Sequence, residues 1–134
     1  MIFEDDVVTA VAAQLRADGW TIESTALATQ HGDDIVAVRG DERLVVEAKG
    51  QGSSKPHTRR YGQPFNRGQA ATHVGVAVLR CLRVVSEGSS TAAIALPDDE
   101  IYAREIERVT PALAQLNIRV FVVDQHGAVR QASQ

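Results

Sequence analysis

Asp34-Ile-Val-Ala-Val-Arg-Gly-Asp-Glu-Arg-Leu-Val-Val-Glu-Ala-Lys49 carries the pattern from which the architecture follows. It splits into two apolar runs, Ile35 to Val38 and Leu44 to Val46, around Gly40-Asp41. A Gly followed by a small polar residue suits a primed two-residue hairpin turn. With Gly40 and Asp41 in the turn, Arg39 pairs with Glu42, Val36 with Val45, and Asp34 with Glu47. Side chains alternate along a strand, so Glu47 and Lys49 point the same way, and the pairing sets Asp34 on that face too. Two carboxylates and an ammonium converge. Like charges opposed across a ladder destabilise it. A hard divalent cation between the oxygens, with Lys49 beside it, removes that objection and supplies a chemical use.

The alternative is a solvated edge pair. Against it, both strands are apolar on both faces: Ile35, Ala37, Leu44, Val46 and Ala48 stand opposite Val36, Val38 and Val45. Such strands are buried on both sides, so charges at their ends need a reason.

The chain of 134 residues suits one domain, 1–134, with one sizeable core. At 44% hydrophobic and 23% charged it reads as an ordinary globular protein rather than a disordered one. Cys81 is the sole cysteine, which rules out an internal disulfide and a cysteine metal site; among Val78, Leu79 and Leu82 it reads as a core thiol. The N-terminus lacks a basic segment followed by an apolar run, and no run approaches a membrane span, so the expected location is cytoplasmic.

Charge is unevenly spread. Between Ala48 and Ser86 stand Lys49, Lys55, Arg59, Arg60, Arg67, Arg80 and Arg83 and no acid, a segment of +7 in a chain of net charge −3, which leaves −10 for the remainder. An asymmetry of that size marks a basic face able to meet phosphates. The Gly-, Pro- and Ser-rich run 50–68 is long for a loop inside a compact domain. Its Lys55, Arg59, Arg60 and Arg67, interleaved with Tyr61 and Phe65, make it a candidate nucleic-acid-contacting segment in which arginines grip phosphates and aromatics stack on bases.

The remaining elements follow from periodicity. Residues 4–19 form an amphipathic helix on Val7, Val8, Val11, Ala12 and Leu15, with Glu4, Asp5 and Asp6 complementing the dipole of its first turn. Trp20 to Ala28 is a first strand, and His31 lies in the loop before Asp34. Gln69 to Val85 is a second helix with a stripe of Ala70, Ala71, Val74, Val78, Leu82 and Val85; Gln69 and His73 share a face near its start. A small-residue strand lies within Ser89–Pro97, a helix runs from Asp98 to about Leu116, Ile118–Val123 is a strand, and Ala128–Arg130 adds a short edge strand. The predicted order, α-β-β-β-α-β-α-β, is an α/β fold with a mixed sheet flanked by helices. No Gly-x-Gly-x-x-Gly between strand and helix, no Gly-x-x-x-x-Gly-Lys-Ser/Thr and no Gly-x-Ser-x-Gly occurs, so dinucleotide, ATP and serine-hydrolase chemistries lack support.

This order, together with Asp34 and Glu47-Ala-Lys49, resembles the restriction-endonuclease-like, or PD-(D/E)xK, nuclease superfamily, in particular small members such as Holliday-junction resolvases and Mrr-type endonuclease domains. The resemblance implies metal-binding carboxylates at Asp34 and Glu47, with the Ala48 backbone carbonyl beside them, and Lys49 orienting or activating the attacking water. It implies that Glu4, on the first helix, completes the metal site and that Gln69 is the polar residue of the following helix. Asp33 stands where the motif has Pro, and becomes the ligand if the register slips by one; His73 stands where some recombination nucleases carry Tyr. The expected activity is Mg²⁺- or Mn²⁺-dependent DNA endonuclease, acting as a homodimer because one small domain cuts one strand per site, with a larger complex with other proteins left open. Phosphodiester hydrolysis suits these residues, since it needs an activated water and neutralised phosphate charge. Two alternatives stand beside it: a non-catalytic nucleic-acid-binding or assembly subunit of the same fold, and a protein-interaction domain using the basic loop.

Overall fold

The computed structural model describes residues 1–26, 32–52 and 63–132. Its elements run α1 (Glu4–Ala17), β1 (Thr21–Thr25), β2 (Ile35–Arg39), β3 (Glu42–Ala48), α2 (Arg67–Glu87), β4 (Thr91–Pro97), α3 (Glu100–Glu107), α4 (Thr110–Gln115), β5 (Arg119–Val123) and β6 (Val129–Gln131). The six strands form one sheet in chain order. β1, β2 and β3 are antiparallel, β3–β4 and β4–β5 are parallel, and β6 returns antiparallel on β5.

The β2–β3 hairpin has the register expected from its turn: Arg39 opposite Glu42, Val36 opposite Val45, Ile35 opposite Val46. Gly40 has φ of 59° while Asp41 stays at negative φ, the pattern of a type II′ turn, in which only the first central residue needs left-handed backbone.

Alternation along these strands builds two cores. Under α1 lie Ile35, Ala37, Leu44, Val46, Ala48, Ala93, Ala95, Phe121 and Val123, sealed by Val7, Val8, Val11 and Leu15. On the opposite face α2 and α3 cover Ala92, Ile94, Leu96, Ile118 and Val120. Each fully buried Leu, Ile or Val contributes about 1.5–3 kcal/mol. Among the described residues no helix is long and apolar enough to cross a membrane.

Two sequence expectations change. The helix expected from Asp98 to Leu116 is two helices, α3 and α4, because Pro111 opens α4: it has no N–H to continue the ladder, and its ring crowds the preceding turn. The buried stripe of α2 is Ala70, Val74, Ala77 and Cys81, whereas Leu82 is 37% exposed and Ala71 is exposed. The face against the sheet takes small side chains so that the helix can sit close, and the bulkier Leu79 and Leu82 turn outward. That rotation decides which polar residues of α2 overlook β3.

Candidate active site

The site lies at the end of β3 where the chain leaves the sheet. Val45, Glu47 and Lys49 take the α2 side by alternation, while Leu44, Val46 and Ala48 go under α1. Among the described residues, Asp34, just before β2, and Glu47 are the buried charged residues, 7% and 4% exposed. The Ala48 N–H donates to Asp34 Oδ2 at 2.7 Å, and the Glu47 carboxylate is close enough to act on the Asp34 carboxyl. The slipped register that would make Asp33 the ligand is therefore not the one adopted; Asp33 instead lines a neighbouring cleft.

Two facing carboxyls in a buried place cannot both hold full charge cheaply. Burial pushes the Asp34 carboxyl up to about 7, helped by the charges of Glu47 and Glu4 and opposed by the Ala48 amide. Glu4 is also raised, by burial first and then by Glu47, while Lys49 pulls it down.

Glu4 reaches this field because α1 starts against the turn after β3. The Gln51 N–H donates to the Ile2 carbonyl at 2.9 Å, and the Ile2 N–H donates to Gln51 Oε1 at 2.8 Å. Between them Gly50 passes so close that a Cβ would lie 2.4 Å from the Glu4 nitrogen, so only glycine permits the approach. Among the described residues no three His, Cys, Asp or Glu side chains close on one point tightly enough to enclose an ion. Glu4 shares the electrostatic field of the pair.

Side chains from α2 and α3 stand around the pair. Arg80 Nη1 donates to Glu47 Oε1 at 2.6 Å, its side chain, 53% exposed, reaching inward from α2. His73 Nδ1 is 3.2 Å from the Tyr102 hydroxyl, which donates to the Gly50 carbonyl at 2.7 Å, and its ring meets Phe65 edge-on at 4.3 Å. Burial and the neighbouring Lys49 hold His73 below its usual range. Gln69 is turned to its own helix instead of the carboxyl pair. Its Oε1 accepts from the Asn66 N–H and its N–H donates to Asn66 Oδ1, both at 2.9 Å, so its side chain caps α2.

The sequence placed Arg80 only on a basic face and missed its contact with Glu47. The available signal was spacing: His73 and Arg80 lie two turns apart on one side of α2, flanking the small residues Ala77 and Cys81. Arg67 is exposed at the first turn of α2. His31, Lys55, Arg59, Arg60 and Tyr61 lie outside the described residues.

The donor set suits a hard divalent ion. Mg²⁺ is commonly held by one or two carboxylates and completed by waters and substrate phosphate. A cation between Asp34 and Glu47 would offset the burial and the neighbouring negative charges that raise the Asp34 carboxyl. The Ala48 N–H points to Asp34, on the edge of β3 that faces β2.

No protein-family model matches the sequence, and no curated protein does. Among solved structures, the crystal structure of an FdxN element excision controlling factor protein from Anabaena variabilis is similar over 96% of this chain and 99% of its own, with a TM-score of 0.53 and 18% identity. SfsA of Pyrococcus furiosus, in complex with Ca²⁺, matches 97% of this chain and 59% of its own at a TM-score of 0.43 and 12% identity. The six-stranded mixed sheet flanked by helices, with its antiparallel meander leading into parallel strands, is the restriction-endonuclease-like fold.

Proposed function

We propose that the protein is a metal-dependent DNA endonuclease working at Asp34, Glu47 and Lys49. The observation that carries this reading is the contact of two buried carboxyls at the ends of adjacent strands with Lys49 two residues beyond Glu47, an arrangement costly to stability and useful to hydrolysis. Asp34, Glu47 and the Ala48 carbonyl would hold a divalent cation, which would supply positive charge against the phosphate and make a water more acidic.

The chain's own groups do the rest. The Ala48 amide holds one Asp34 oxygen, which leaves the other for its second partner. Lys49, on the same side, offers its ammonium to the charge that develops on the phosphate. Glu4, at the start of α1, feels the charge of Lys49 and that of Glu47. Arg80 neutralises Glu47 and is exposed enough to turn toward an incoming phosphate. A homodimer would bring two such sites to the two strands of a duplex.

Nicking of supercoiled plasmid in Mg²⁺ or Mn²⁺ tests the reading. The wild type should nick, EDTA should stop it, and Glu47→Ala and Lys49→Ala should each lower the rate by ~10³-fold or more, the scale of losing a group that stabilises transition-state charge. A wild type that binds DNA without nicking under either metal would leave the non-catalytic subunit as the answer.

A further inference from the structure

A cleft of about 590 Å³ opens on the α2 side of the sheet, its walls including Arg43 of β3, Asp33 before β2, Arg80, Arg83 and Glu87 of α2, and Ser90 before β4. It adjoins the carboxyl pair, because Arg80 lines the cleft and also holds Glu47. Two of its three guanidiniums have carboxylate partners, Arg43 with Glu23 and Arg80 with Glu47. Arg83, one turn beyond Arg80, is exposed and has no ion pair among the described residues. Residues three apart lie side by side on a helix, so Arg80 and Arg83 form a continuous cationic wall leading away from Glu47.

Three spaced guanidiniums, interrupted by Asp33 and Glu87, fit a chain of separated negative charges better than one compact anion, which would sit against the acids as well. A nucleic-acid backbone is such a chain, and phosphate contacts of this kind fix its register without reading bases. We propose that the cleft carries the sugar-phosphate backbone of the strand on one side of the bond held at Asp34 and Glu47. In this arrangement Arg83 is a phosphate ligand and Arg80 stands at the junction of cleft and pair. The proposal rests on the nuclease reading above, since that reading places a phosphodiester where the cleft begins.

Fluorescence anisotropy of a labelled duplex of about 20 base pairs, titrated with full-length protein in Ca²⁺ across a salt series, tests it. Arg83→Ala should weaken binding roughly three- to tenfold at low salt and make the slope of log K against log salt shallower by roughly 0.9, as expected for one lost phosphate contact. Arg83→Glu should weaken it further. Arg16→Ala, on α1 and across the sheet, should change neither quantity. Unchanged affinity and slope in both Arg83 variants, or an equal loss in Arg16→Ala, overturns the proposal. Plasmid nicking separates the two readings. Wild-type nicking with unimpaired Arg83 variants removes the cleft alone. Arg83-dependent binding without nicking keeps the cleft as a binding surface and removes the nuclease. A wild type that neither binds nor nicks removes both.

Discussion

The two sides of β3 are built from alternate residues of one strand and obey opposite rules. Toward α1 it turns Leu44, Val46 and Ala48, all fully buried among apolar partners. Toward α2 it turns Val45, Glu47 and then Lys49, and the acid is as deeply buried as its apolar neighbours. One face is made of residues that lower the free energy of folding. The other carries groups whose burial raises it, which is what a fold tolerates where chemistry is done. Because the side-chain period is two, both demands are met within seven residues.

The contrast can be broken most directly by one substitution on each face of β3. Glu47→Gln should remove nicking by ~10³-fold or more while shifting the melting temperature little, since it removes a charge that repels Asp34. Leu44→Ala should do the reverse, costing about 2–5 kcal/mol in stability by leaving a cavity. The folded fraction should then nick at the wild-type rate. Urea unfolding and plasmid nicking measured on both proteins would erase the distinction if stability and activity fell together in each.

Gly50→Ala should come next. Its Cβ would meet backbone at the start of α1, which cannot yield as a side-chain tip can. A loss of about 1–3 kcal/mol is expected, the scale of overpacking. Nicking should fall as well, because Glu4 is displaced from Lys49. Unchanged chemical denaturation would show that the contact is not as tight as the backbone implies.

The acidic face also makes a pH signature. With its folded pKa near 7 and an ordinary value when unfolded, Asp34 binds more proton in the folded state between about pH 4 and 7. Its contribution is therefore present at low pH and is lost as pH rises through 7, by a few kcal/mol at most. Metal-free protein should melt lower at pH 8 than at pH 6, Mg²⁺ should offset the loss at pH 8, and Asp34→Asn should flatten the dependence. Scanning calorimetry at the two pH values decides, and a wild-type profile matching that of Asp34→Asn would count against the buried pair.

The smallest effect belongs to Arg80. Its guanidinium competes for the Glu47 oxygen that a cation would use. Arg80→Ala should tighten Mg²⁺ binding by roughly two- to fivefold, the worth of a half-exposed ion pair, as read by titration calorimetry. Weaker binding would mean that Arg80 orients Glu47 instead of competing for it.

The ways these elements were legible differ. The hairpin could be read because its turn, its register and the alternation of its faces are all fixed within sixteen consecutive residues, and Arg39 does face Glu42. The rotation of α2 was misjudged because an amphipathic pattern rich in Ala, Val and Leu admits neighbouring stripes, and the choice was made by the closeness of the sheet and not by side-chain bulk. The break between α3 and α4 has its sequence signal in Pro111, at the first turn of α4. Gln69 was assigned by position in a family pattern, whereas locally Asn66 three residues earlier already described a helix cap.

By itself the sequence determined what local geometry controls: two strands with a tight turn between them, acids 34 and 47 at matching ends, and the lysine two residues on. Only the tertiary structure decided what came to meet them. Glu4 arrives because Gly50 admits the start of α1, and Arg80 arrives from 33 residues further along the chain. Such meetings depend on how whole helices seat on a sheet. That seating minimises the free energy of many side chains at once, so no short segment encodes it.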